Sequence, residues 1–195
     1  MAHLKKEEDE YFSMSLDKEP IIIKGSKIMY VLVFLATVGF LIACILLIVH
    51  GLKFDSKYSL FYLGGGIIFT PFYLYITLWN LPGLIPGKTL LSIIPGENGV
   101  IKSKKGIIPI KDIRSIDLVR NPLNLINDIV IETFNDKKYK IRTYNLIGDF
   151  RYQIIVDQYI YPYMTENAKK VWDRKINLDN LRQQANYERQ EPKVE

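Results

Sequence analysis

Three lysines within four positions, Lys102, Lys104 and Lys105, are the side chains best placed to do chemistry. Closely spaced ammonium groups hold anions. Beside a bilayer the nearest anion is a lipid headgroup, worth about 1 kcal/mol per lysine. The same run also reads as a solvated turn that helps fix membrane orientation. Catalysis needs other sets: a nucleophile with its base, a metal cage, or paired carboxylates in a cleft. The single cysteine, Cys44, lies in a stretch without Asp, Glu, Lys or Arg, so it makes neither an internal disulfide nor a thiolate cage. The two histidines, His3 and His50, cannot form a multi-histidine centre. Asp112 and Asp117 read as solvated. Lys137, Lys138 and Lys140 sit at a turn without interleaved aromatics, which does not fit nucleic-acid binding. No catalytic residue, cofactor, cofactor-binding residue or metal ligand is expected, and the chain does not read as an enzyme.

The elements that must carry these residues begin in a membrane. Of the 195 residues 48% are hydrophobic and 24% charged, with a net charge of +5. Those averages hide two uncharged apolar stretches, Ile28 to His50 and Tyr58 to Ile85. About 20 such residues cross the hydrocarbon core. Transmembrane helices are therefore expected at 28–50 and 58–81. The outer loop 51–57 joining them is short enough to force an antiparallel hairpin, since backbone groups in lipid must be satisfied within each helix. Residues 1–27 form an N-terminal segment whose polar part is loosely held. Lys18, Lys24 and Lys27 before the hairpin, with Lys88, Lys102, Lys104 and Lys105 after it, outweigh Lys53 and Lys57 in the loop. The positive-inside rule then places both termini in the cytoplasm, the chain being multi-pass in the plasma membrane. The 28 Ile, and 19 Lys against 7 Arg, hint at an AT-rich bacterial genome.

Within the spans, Gly64-Gly65-Gly66 lacks the Lys-Ser/Thr of a phosphate loop and reads as a close helix-packing site. Ala43 lies roughly 22 Å from the inner end of the first span, and Gly65 at about the same depth in the second, so these two are expected to face each other. Leu41-Ile42-Ala43-Cys44 fits a lipoprotein cleavage pattern. The run stays apolar through Val49, however, so Cys44 reads as a plain intramembrane thiol.

Two Pro-Gly pairs make 82–87 a linker, after which the pattern changes to short strands. These are Thr89–Ile94, Val100–Ser103, Ile107–Ile110, Arg114–Arg120, Asp128–Phe134 and Lys137–Thr143. In the last, Tyr139, Ile141 and Thr143 face inward while Lys138, Lys140 and Arg142 face solvent. A helix N-capped by Asp149 follows, with Tyr152, Ile155, Val156, Tyr159, Ile160 and Tyr163 on its core face and Asp157 on its solvated one. Pro162 ends it, and 166–195 form a further helix and tail. Residues 85–195 hold 19 Lys+Arg against 14 Asp+Glu, so the whole positive surplus lies here.

This order of spans, short strands and one capping helix resembles bacterial membrane proteins that carry a PH-like domain. The likeness is strongest in Ile107-Ile108-Pro109-Ile110-Lys111-Asp112-Ile113-Arg114-Ser115-Ile116. The whole chain also resembles uncharacterised Yfj-type membrane proteins of Gram-positive bacteria. The resemblance implies an α+β membrane protein. Its two-helix transmembrane hairpin would precede a small PH-like antiparallel β-barrel or sandwich over 88–165, with seven strands (six are visible in the pattern) and a C-terminal cap. In phosphoinositide-binding PH domains the first hairpin loop is basic. Here Pro95-Gly96-Glu97-Asn98-Gly99 carries an acid and no base, a departure from inositol-lipid recognition. The implied function is a membrane-anchored, non-catalytic module whose domain docks a protein partner or the inner leaflet. The alternative is an accessory or immunity protein acting through its hairpin on another membrane protein or a toxin. The partners are thus the lipid bilayer and an unidentified protein, with no nucleic acid.

Overall fold

A computed structural model describes residues 19–189. The polar start and the end of the tail, 1–18 and 190–195, lie outside the described residues. Helix α1 (Lys27–Phe34) and helix α2 (Phe40–Gly51) are joined by one π-helical turn, Leu35–Gly39, into a continuous 25-residue helix. Inside that turn the Thr37 hydroxyl donates to the Val33 carbonyl at 2.7 Å, a back-bond of the kind that disturbs an α-helical ladder. Helix α3 (Ser59–Asn80) runs through Pro71 without a break and ends in a 3-10 turn, Leu81–Gly83. Each apolar helix spans about 37 Å, long enough to cross a membrane.

The hairpin closes on two glycines. A Cβ on Gly66 would lie 2.6 Å from Ile48 Cγ1 and 2.9 Å from the Cys44 carbonyl oxygen, and one on Gly51 would lie 2.6 Å from the Leu63 nitrogen. Gly64 and Gly65 meet nothing within 4 Å, and Ala43 is exposed. The expected Ala43–Gly65 pair is therefore corrected to Cys44–Gly66, one residue on in both helices. Each residue turns the helix by about 100°, so a one-residue error selects a different face.

Seven strands stand among the described residues, all antiparallel, in sheets of four and three. Strand β1 (Ile21–Lys24) precedes the hairpin in sequence, yet pairs with β2 (Thr89–Ile94), Ile21 opposite Ile93 and Lys24 opposite Thr89. The hairpin is thus an insertion between neighbouring strands. Strands β3 (Val100–Ser103) and β4 (Gly106–Pro109) complete the order β1-β2-β3-β4. Strands β5 (Ile113–Arg120), β6 (Asn127–Thr133) and β7 (Lys138–Arg142) form the second sheet. The sheets do not join into a closed barrel. They enclose one core in which Ile23, Ile93, Ile101, Ile108, Ile113, Ile131 and Val156 are buried, each such side chain stabilising by about 2 kcal/mol. The pattern-based range 88–165 leaves out β1 and also Ala168 and Trp172, which belong to the same core.

Both ends of the hairpin seat on this unit. The Ser26 N–H donates to the Leu146 carbonyl at 3.0 Å, and the Tyr30 hydroxyl donates to the Ile85 carbonyl at 3.2 Å. Gly83 lies so close to Tyr144 that a Cβ there would collide with the Tyr144 Cβ.

Helix α4 (Asp149–Tyr159) is N-capped by Gly148, so Asp149 is its first residue rather than its cap, where its charge still favours the helix dipole. Tyr152, Ile155, Val156 and Ile160 are buried on the core face, as the spacing implies. Asp157 is not solvated. Helices α5 (Glu166–Asp173) and α6 (Leu178–Ala185), N-capped by the side chains of Thr165 and Asn177, fold the chain back over it. The buried carboxylate accepts from Trp172 Nε1 at 3.0 Å, the Tyr187 hydroxyl at 2.9 Å and Arg189 Nη2 at 2.6 Å.

Candidate anionic-ligand cleft

Three parts of the chain bring five cations to one cleft of about 420 Å³. The linker supplies Lys88, the β3–β4 turn supplies Lys104 and Lys105, and β7 supplies Lys140 and Arg142. The turn exists because Ser103 pairs with Gly106, whose φ of +125° is open to glycine and strained for other residues. Its two central side chains, Lys104 and Lys105, project from a tip with no core to join and are exposed. On β7 the alternation of a strand sets Lys138, Lys140 and Arg142 on one face. Lys138 is taken up by Glu132 at 2.8 Å, and this bond, with Arg114 beside it, holds the Glu132 carboxyl below its ordinary range.

Aromatic rings tie the cleft to the hairpin. The Arg142 guanidinium carbon lies 5.0 Å from the centre of the Trp79 ring, near the end of α3. The Lys88 ammonium lies 4.0 Å from the centre of the Tyr144 ring and donates to the Pro82 carbonyl. Both are cation–π contacts.

One acid lines the cleft. Asp128, opposite Arg142 across the β6–β7 ladder, is 4% exposed, and its Oδ1 accepts no hydrogen bond. Arg142 Nε stands 4.0 Å from that oxygen. Burial pushes the Asp128 carboxyl above its ordinary range, against the opposing pull of Arg142 and Lys140. Five cations against one carboxylate suit a phosphate-bearing anion. Among the described residues no group of three or more His, Cys, Asp or Glu side chains could hold a metal.

Of the expected lipid-contact lysines, the fold brings Lys104 and Lys105 into the cleft, while Lys102 on β3 is not among its lining residues. Lys88, Lys140, Arg142 and Asp128 were not read from the sequence as site residues. The signal for Lys140 and Arg142 was their alternation on a strand, which by itself reads as a solvated face.

The molecule is thus an α+β chain in which two long apolar helices interrupt an antiparallel sheet and a basic cleft lies beside the end of the second. Residues 19–182 match a family described as a family of unknown function, DUF5381, and the chain belongs to it. The match begins before β1 and so takes in strand, hairpin and sheets together. The uncharacterized lipoprotein YfjD of Bacillus subtilis (strain 168) is 31% identical over 161 residues, covering 80% of this chain and 87% of that protein. The uncharacterized protein YfjE of the same organism is 29% identical over 128 residues, covering 63% and 84%. The likeness to Yfj-type proteins read from the sequence therefore holds. No solved structure matches the chain.

Proposed function

We propose that this protein is a membrane-anchored, non-catalytic interaction module of the bacterial plasma membrane. The hairpin holds a PH-like domain against the cytoplasmic leaflet, and the cleft docks it on anionic headgroups or on an acidic surface presented there. The observation that carries this reading is the stacking of Arg142 on Trp79, because it sets the cation-rich cleft at the end of an apolar helix long enough to span. A four-plus-three division of strands followed by a helix supports the PH-like description. Pairing of β1 with β2 supports one side of the membrane for both ends of the hairpin, and the lysine asymmetry makes that side the cytoplasm.

The name of YfjD describes a lipoprotein, which suggests a different anchor. Lipidation of Cys44 would follow cleavage before it and remove β1 and α1. Here β1 is part of the sheet, and Cys44 is 5% exposed and packed on the second helix, so an uncleaved span fits better.

The test uses the full chain in a neutral detergent. Wild-type protein should retain anionic phospholipid in preference to phosphatidylcholine, as read by native mass spectrometry. The preference should fade as salt shortens electrostatic reach to about 8 Å and below. It should also disappear in the Lys104→Glu, Lys105→Glu, Lys140→Glu variant. Equal retention of neutral and anionic lipid by the wild type would count against docking.

A further inference from the structure

The docking role just proposed leaves one feature of the cleft unused, and the inference drawn from it rests on that role. Asp128 is out of place in a site for a bare anion. Its side chain is 6% exposed, and Oδ1 is an acceptor with no donor. Leaving a buried acceptor without a partner is costly, more so when it carries charge. The neighbouring cations do not resolve this. Arg142 Nε is 4.0 Å away, beyond hydrogen-bond distance, with its guanidinium on Trp79, and Lys88 is spent on Pro82 and Tyr144. A ligand that satisfies the cleft therefore brings acceptors for the lysines and, on the same small group, one donor for Asp128.

The sign of the charges selects the donor. An ammonium, as on an aminophospholipid, would gain one carboxylate while entering among five cations. A hydroxyl is neutral, so it collects the hydrogen bond without that repulsion. A phosphate with a hydroxyl a few bonds away is a phosphoglycerol. Its source is a lipid rather than free glycerol phosphate, since Arg142 joins the cleft to the end of an apolar helix. We propose that the cleft recognises the phosphoglycerol headgroup of an anionic phospholipid, the phosphate held by Lys104, Lys140 and Arg142 and a glycerol hydroxyl donating to the Asp128 carboxylate.

The decisive comparator is phosphatidylmethanol, which carries the same charge on the same phosphate and has no hydroxyl. The full chain in neutral detergent is titrated with phosphatidylglycerol, phosphatidylmethanol and phosphatidylethanolamine of identical acyl chains, and with glycerol 1-phosphate. Wild-type protein should bind phosphatidylglycerol about tenfold more tightly than phosphatidylmethanol, the scale of one hydrogen bond to a charged group. In Asp128→Ala that ratio should fall to about one, with phosphatidylmethanol bound no more weakly than before. Equal binding of the two lipids by the wild type, or a ratio that survives Asp128→Ala, overturns the headgroup assignment while docking stands. Phosphatidylethanolamine bound most tightly would replace the hydroxyl by an ammonium and also overturn it. Glycerol 1-phosphate bound as tightly as the lipid would overturn the lipid source. Docking itself fails if no lipid binds, or if all bind unchanged in the Lys104→Glu, Lys140→Glu variant. The wild-type comparison decides the question even if Asp128→Ala does not fold.

Discussion

Two buried carboxylates give opposite lessons about what a side chain needs. Asp157 accepts from an indole, a phenol and a guanidinium, and Arg189 goes on to Asp173 at 2.8 Å, so the end of the described chain is held to α4. Removing that acid leaves Trp172 and Tyr187 without their acceptor and Arg189 with Asp173 alone. Asp157→Ala should cost about 3 kcal/mol, visible as a lower denaturant midpoint. It should also bring early proteolytic cleavage after α6, whereas Asp149→Ala on the exposed start of the same helix should change stability little. Asp128 has no such set of donors, which is why it bears on ligand choice. Neither role was legible beforehand. A helix wheel places Asp157 opposite the Tyr152-Ile155-Val156 stripe and so in water, because it cannot see a later segment returning over that face. Lys104 and Lys105 were legible because they are adjacent. Lys88, Lys140 and Arg142 are scattered along the sequence and become one site only through the fold.

Among elements, the hairpin offers the sharpest test. Gly66→Leu forces a side chain into Ile48 and the Cys44 carbonyl, so we expect a loss of about 1–3 kcal/mol and a clear drop in melting temperature in detergent. Gly65→Leu, one position away, meets open space and should melt within a degree or two of wild type. Equal damage from both would refute the observed crossing. The six strands from Thr89 onward were readable to within a residue or so, since alternation and turn residues bracket them. Strand β1 was not. Ile21-Ile22-Ile23-Lys24 is four residues long, shows no alternation and directly precedes a long apolar helix, and its partner is β2, beyond the entire hairpin. The π turn at Leu35–Gly39 also left no mark, because an apolar run reads alike in α and π geometry.

At the scale of the molecule, the unit that folds is the sheet pair with β1 included. Replacing residues 27–87 by a short Gly-Ser linker should give a water-soluble protein with cooperative unfolding, because Lys24 and Thr89 are already opposite each other. A fragment starting at Lys88 lacks β1 and the burial of Ile23, a loss of about 2 kcal/mol from that side chain alone, and leaves β2 as an open edge. It should aggregate or unfold noncooperatively, as followed by circular dichroism and sedimentation. Orientation is checked in intact cells on a Cys44→Ser background. An impermeant thiol reagent should label Ser56→Cys in the outer loop and spare Asn98→Cys in the β2–β3 turn. The reverse pattern would invert the protein.

The placement of an apolar helical hairpin between β1 and β2 also bears on the order of biogenesis. On the ribosome β1 emerges early, and Ile93 follows only roughly 4–14 s later at ordinary rates of synthesis. Joining strands so far apart in a free nascent chain would carry the entropy of closing a long loop. On the membrane-anchored reading proposed above, lateral insertion of the two helices removes that cost, because an antiparallel pair in the bilayer delivers Lys24 and Thr89 to one side, next to each other. Insertion into lipid would then be the nucleation step for a sheet that lies outside it. On that reading, a cell short of membrane insertase capacity is expected to accumulate this protein with its sheets unfolded, although the sheets themselves stay outside the bilayer.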